Sequence, residues 1–222
     1  MQLHSRDDAS EASRPTEGLR ERRRRETQRE LSDAALELFE TRSVSGTTVD
    51  DIAHLAGTSP RTFFRYFATK EAAVLQPTDE SEAMLRAVAD AVSGGEPLLG
   101  ALESAWLTQI SRFDAEPGEH QRVLRIRRLV GQEPTLLALA LRTEAEQVDA
   151  LTDTAVQSAA GTGADALSAR AAIGIVFLIV RLAFDEWARR AEGGTAVSVR
   201  EIYLDIRRST VAMSDRLGDP PA

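Results

Sequence analysis

The sequence predicts an all-α protein, and three observations carry that prediction. Apolar residues recur at intervals of three and four along most of the chain, no segment alternates apolar with polar, and clusters of glycine, proline and serine cut the 222 residues into helix-sized lengths. With 42% hydrophobic residues there is material for one large domain or two small ones. No internal repeat divides the chain further.

Residues 1–19 are polar and hold no apolar run, so a disordered tail is expected there rather than a signal peptide. A first helix follows from about Arg20 to Arg42, where Leu31, Ala34, Ala35, Leu38 and Phe39 form one apolar stripe. Its start is basic, with Arg20, Arg22, Arg23, Arg24, Arg25 and Arg29 close together against Glu21 and Glu26. The loop Ser43 to Gly46 ends it.

Thr48 opens a second helix, placed to cap the amides of Asp50 or Asp51, and Val49, Ile52, Ala53 and Ala56 share its inner face. Gly57 stops that helix, because glycine turns left-handed at little steric cost. Ser59 caps a third helix, with Pro60 at the first position, where a missing N–H is harmless. Phe63 and Phe67 are expected to point back at Phe39 and Ile52. Thr69, Lys70 and Glu71 begin a fourth helix that should end at Pro77, and the domain break is expected there, separating residues 20–76 from 77–222.

Longer helices are expected over Glu80 to Val92, Pro97 to Phe113, Glu119 to Gly131, Pro134 to Ala160, Asp165 to Ala191 and Ser198 to Leu217. The longest apolar run, Ala171 to Val180, stops at Arg181 and falls short of the roughly 18 residues that a bilayer crossing takes, so it reads as a buried helix.

Composition narrows the function. Without cysteine there is no disulfide, thiolate metal site or cysteine nucleophile. His4, His54 and His120 lie far apart, and no metal site is expected; His54 is either a plain surface residue or a phosphate contact. Asp7-Asp8 falls in the tail and Asp50-Asp51 at a helix start, so neither pair suits acid-base chemistry. No catalytic residue, cofactor or enzyme activity is expected. The net charge of −8 resides mainly in the C-terminal part, since Met1 to Gln76 balance 12 basic against 13 acidic residues.

Two short helices joined through a glycine and braced by a preceding helix form a helix-turn-helix. Its outer face would carry Thr58, Ser59, Pro60, Arg61, Thr62 and Arg65, with Tyr66 and Lys70 at the far end. Arg61 is suited to guanine O6 and N7, and Thr62 to a base edge or thymine methyl. Thr48 and Ser59 suit phosphates, and the run Arg22 to Arg25 is either a solvated face or an arm reaching the adjacent groove or phosphates, with Arg22, Arg23 and Arg24 as its DNA contacts.

These residues resemble the TetR (tetracycline-repressor) family of bacterial regulators. The resemblance lies in Thr47-Thr48-Val49, Ala56-Gly57, Ser59, the stretch Thr62 to Phe67 and Thr69-Lys70-Glu71, within Arg22 to Leu75. It implies a three-helix DNA-binding domain followed by a larger helical ligand-binding and dimerisation domain. It also implies a cytoplasmic homodimer, usually a repressor, on a palindromic double-stranded operator. Thr47 joins the DNA-facing set, and Lys70, the only lysine, falls where the family contacts phosphate. Phe64 stands where the family usually has a phosphate-binding tyrosine, and Ser43 where it usually has glycine.

The stretch Arg125 to Glu146 and the apolar helix after it resemble the C-terminal domain of mycofactocin-type regulators of the same family, which implies a small-molecule effector, either hydrophobic or an acyl-CoA ester. Trp106, Phe113, Arg127, Phe177 and Arg181 are its candidate contacts. Arg127 and Arg181 sit among apolar residues, so each needs an acidic partner, such as Asp185 or Glu186 for Arg181, or an anionic ligand. Ala171, Ala172, Gly174 and Ala183 would let helices of two subunits approach closely. The competing reading, suggested by the acidity and by Phe64, is a helical small-molecule carrier or scaffold whose motif no longer binds DNA.

Overall fold

The computed structural model describes residues 18–75, 79–158, 165–195 and 197–217. The expected tail up to residue 17, the break at Pro77 and the Gly161 to Gly163 connection lie outside these. Among the described residues the chain is helical and holds no strand. The helices are α1 (Leu19–Arg42), α2 (Val49–Leu55), α3 (Pro60–Tyr66), α4 (Ala72–Leu75) and α5 (Asp79–Ser93), then α6 (Leu98–Ala115), α7 (Pro117–Gln132), α8 (Pro134–Ser158), α9 (Ala166–Glu192) and α10 (Val199–Leu217).

Three of these make the small head. Leu31, Ala35, Leu38 and Phe39 of α1 bury against Ile52 of α2 and Phe63 of α3, all at most 6% exposed. Phe67 and the α4 residues Ala73 and Val74 close the cluster. The same cluster includes Leu129 of α7 and Leu136 of α8. The head therefore shares its core with the larger domain.

Local chemistry sets the sharp turns. Gly46 is required because a Cβ there would lie 2.2 Å from the carbonyl oxygen of Arg42. Ser43 adopts φ 65°, a region that disfavours a side chain, and its hydroxyl accepts from the Gly46 amide at 3.3 Å. α4 is shorter than expected: Thr69, Lys70 and Glu71 form a turn ahead of it, and the Thr69 hydroxyl accepts from the Ala72 amide at 3.2 Å.

The larger domain centres on α9, whose Ile173, Val176, Phe177, Val180, Ala183 and Trp187 are buried with Ile110 of α6 and Val199, Ile202 and Tyr203 of α10. By length and composition α9 could cross a membrane, with a mean hydropathy of 2.0 over its most apolar window. Here it packs against α6, α8 and α10, and Arg181 in its middle is ion-paired to Glu144 of α8 at 3.1 Å.

Candidate nucleic-acid interface

Capping chemistry sets the angle between α2 and α3. Thr48 Oγ1 accepts from the Asp51 amide at 3.1 Å while the Asp51 carboxylate accepts from the Thr48 amide at 2.9 Å, a reciprocal capping box. Hydrogen bonds from the Thr48 hydroxyl and amide hold the Asp51 carboxyl below its ordinary range. Gly57 takes φ 63°, and the amide of Thr58 then reaches the carbonyl of Ala53 at 2.8 Å, closing α2. Ser59 Oγ accepts from the Thr62 amide at 3.2 Å, with Pro60 at the first turn of α3.

Phe63 clamps α3 from behind. It is 0% exposed, tilted on Phe67 with centroids 5.5 Å apart and edge-on to Phe64 at 5.6 Å. Its burial turns Ser59, Arg61, Phe64 and Arg65 to solvent, with Thr58, Pro60, Thr62 and Tyr66 half-buried beside them. Arg65 lies over the Tyr66 ring at 5.0 Å and donates to its hydroxyl at 3.3 Å. Phe64 is 59% exposed, an apolar ring on an otherwise polar ridge.

Three expected contacts sit differently. Thr47 is buried, and its hydroxyl donates to the carbonyls of Ser43 at 2.9 Å and Leu38 at 3.3 Å, so it holds the α1–α2 loop rather than facing outward. Lys70 is turned inward as well. Its ammonium donates to the carbonyls of Val44 at 2.6 Å and Thr47 at 2.8 Å, with Glu71 at 3.9 Å, which leaves little capacity for a phosphate. Arg24 is tied to Glu21 at 2.9 Å and to Gln28 at 3.4 Å along its own helix, whereas Arg22 and Arg23 are exposed. Sequence alone does not say which of the two adjacent hydroxyls, Thr47 or Thr48, turns in.

Behind the head lies a cavity of about 290 Å3 between α4, α5, α6, α7, α8 and α9. It gathers four of the five candidate effector contacts, Trp106, Arg127, Phe177 and Arg181. Phe113 is elsewhere, stacked among Phe184, Trp187 and His120. Both arginines have acidic partners, though not those expected: Arg181 pairs with Glu144 at 3.1 Å and Arg127 takes Asp185 at 2.9 Å, while Glu186 holds Arg189 and Arg190. Burial pushes the Arg127 guanidinium below its ordinary value despite Asp185.

Comparison with known proteins agrees with this geometry. Residues 31–76 match the family described as bacterial regulatory proteins, tetR family. The chain is 37% identical to the HTH-type transcriptional regulator TcmR of Streptomyces glaucescens over 58% of each chain. It is 33% identical to MftR of Mycobacterium tuberculosis, named as a mycofactocin biosynthesis transcriptional regulator, over 57% of this chain and 63% of that one. It is 35% identical to the HTH-type transcriptional regulator EthR of the same species over 53% and 54%. The chain thus spans a little over half the length of these curated relatives. The clamped ridge lies within the stretch, residues 31–76, that is similar to the tetR family of bacterial regulatory proteins.

Proposed function

We propose that the chain is a DNA-binding transcription regulator, a cytoplasmic homodimer that represses from a palindromic operator and is released by a small-molecule effector. The observation that carries this reading is the Ser59 to Arg65 ridge, held outward by the buried Phe63 in a TetR-type head. Arg61 is exposed and makes no ion pair among the described residues, so its guanidinium is available for a guanine edge. Thr58, Thr62 and Tyr66 flank it, and Thr48, Arg22 and Arg23 suit the phosphates.

A second copy supplies the two-fold symmetry. Along α9, Ile175, Leu178 and Leu182 stand out at helical spacing, each over 40% exposed, and Val211 and Met213 of α10 are more exposed still. A stripe of this size on a soluble chain is usually covered. Ala171 is exposed and Gly174 half-buried on this helix, whereas Ala183 is used inside the subunit. In a dimer the ridges would enter successive major-groove turns, about 34 to 36 Å apart or a multiple of that.

The effector reading rests on the cavity between α4 and α9. Its wall includes Leu75 of α4 and Ile126, Arg127 and Val130 of α7, the two helices that also pack under the head. A ligand preferring one arrangement of these helices would shift the population of DNA-competent dimers by no more than that preference. The test is fluorescence anisotropy with DNA taken from upstream of the chain's own gene. Binding should fall by ~1 to 3 kcal/mol in Arg61→Ala, with relaxed preference at one base per half-site. Failure of the wild-type dimer to bind any duplex at low salt would favour the carrier reading instead.

A further inference from the structure

The cavity behind the head carries unbalanced charge. Its wall includes two guanidiniums, Arg127 of α7 and Arg181 of α9, against the one carboxylate of Glu144 on α8. Asp185, the partner of Arg127, lies outside that wall and is 50% exposed. Apart from Thr143 and Gln147 the other lining residues are apolar, among them Trp106 and Phe177, whose rings meet edge to face with centroids 5.6 Å apart. A volume of about 290 Å3 is at the small end of ligand sites.

Arg127 is crowded by protein yet reachable. Burial pushes its guanidinium below the ordinary value, against the pull of Asp185 and with the repulsion of Arg181, while 29% of its side chain stays open to water. On the wall of a hollow, crowding combined with access means that the side chain borders the hollow. Arg181 and Glu144 are open to similar degrees, 35% and 26%. Among the described residues the Arg127 side chain makes one hydrogen bond, from Nη1 to Asp185 at 2.9 Å, and the Arg181 side chain one, from Nε to Glu144 at 3.1 Å. A guanidinium presents a planar fork of N–H groups, so both retain donors for a second acceptor. A ligand carboxylate would use these donors without displacing Glu144 or Asp185, and would offset the repulsion between the two cations.

We propose that this cavity binds a compact monocarboxylate with an apolar body, its carboxylate accepting from Arg127 and Arg181 and its body lying against Trp106 and Phe177. This rests on the effector-binding reading and names the ligand class within it. A CoA ester meets neither requirement, since its thioester is uncharged and its nucleotide exceeds the volume. Arg127 shares α7 with Leu129, a member of the head's core, so the ligand holds a helix that packs under the head.

Isothermal titration of the full chain with octanoate, octanamide, octanoyl-CoA and acetate tests it. Octanoate should bind more tightly than octanamide or octanoyl-CoA by roughly tenfold or more, the ratio expected of charge-assisted hydrogen bonds, and acetate, which lacks the apolar body, should not bind measurably. Arg127→Met keeps the apolar stem and loses the charge; it should weaken octanoate by roughly tenfold or more. Ala140→Trp, which fills the cavity, should abolish octanoate binding, whereas Arg142→Met, outside the cavity on α8, should leave it unchanged. The wild-type preference for acid over amide decides the matter even where a variant folds poorly. Amide or CoA ester binding as tightly as the acid, no octanoate binding, an unchanged affinity in Arg127→Met or Ala140→Trp, or an equal loss in Arg142→Met would overturn the proposal. Because DNA is absent from these titrations, failure of the regulator reading shows separately, as octanoate binding without operator binding.

Discussion

Arg125 on α7 grips Glu40 on α1 with two nitrogens, Nε at 3.0 Å and Nη2 at 2.6 Å. One turn earlier Arg122 donates to Asp33 at 2.9 Å and to the hydroxyl of Ser32, and Arg29 of α1 reaches Glu119 at 2.6 Å. α7 thus fastens the head along one side, while its Ile126, Arg127 and Val130 line the cavity on another. Hydrogen bonding by Glu40 raises the Arg125 guanidinium above its ordinary value.

Removing this row should loosen the head without unfolding the larger domain. Arg125→Ala takes away a solvent-screened pair, and a loss of ~0 to 1 kcal/mol is expected. Arg122→Ala should cost more, ~1 to 3 kcal/mol, since it strands the buried Ser32 hydroxyl. In the double variant, amide exchange across Leu31 to Arg42 should accelerate while α9 stays protected. Equal acceleration in both would mean that the row supports the whole fold and has no special place at the head.

Phe64 is an exposed apolar ring on an otherwise polar ridge, at the position where the family resemblance implies a phosphate-binding tyrosine. An exposed ring can meet a thymine methyl or sugar but gives no hydrogen bond to phosphate. Phe64→Tyr should leave stability unchanged and tighten DNA binding uniformly across sequences, by ~0.5 to 1.5 kcal/mol for one added hydrogen bond. A change confined to one base position in the half-site would instead assign Phe64 to reading bases.

Lys70 joins Val44 and Thr47 across the first loop, so its loss should appear in folding before it appears in DNA binding. Lys70→Met removes a charged donor from two carbonyls, for an expected ~1.5 to 3 kcal/mol. Urea unfolding measures that cost. The slope of log affinity against log salt should stay nearly constant; a drop close to one unit would return Lys70 to the phosphates.

Helix number, type and order were legible from apolar spacing and from caps such as Thr48 and Ser59, because those signals are local. The inner face of the head was legible too: Phe39, Ile52, Phe63 and Phe67 are buried as their spacing requires. What failed was long-range polar pairing. Lys70 finds carbonyls 23 and 26 residues away, and Arg181 finds Glu144 at a separation of 37. Nothing in a helical period says which distant acid faces a given arginine. The Arg122 and Arg125 row was missed for the same reason, although its spacing of three along α7 was visible as a stripe. Nothing in the helical period of α7 and α8 says which core Leu129 and Leu136 join, and packing puts them in the head's own.

Tyr203 offers a test of the larger domain through pH. It is 0% exposed on α10, its hydroxyl lies 3.5 Å from Glu103, and Arg207 binds the same carboxylate at 3.0 Å. Burial, helped by the negative Glu103 and partly opposed by Arg207, pushes its phenol from 10.0 up to about 12. The folded pKa exceeds the unfolded one, so this contribution is complete below the unfolded value and is lost as pH rises through the folded one. Stability should therefore decline between about pH 10 and pH 12, since unfolding lets the phenol ionise. Tyr203→Phe has no proton to release, and its decline over the same interval should be shallower, with neutral-pH stability within ~1.5 kcal/mol of wild type. Urea midpoints taken at several pH values, with phenolate absorbance recorded alongside, make the comparison. Parallel declines in the two proteins would show that other groups govern alkaline unfolding and that the Tyr203 hydroxyl is better solvated than its burial implies.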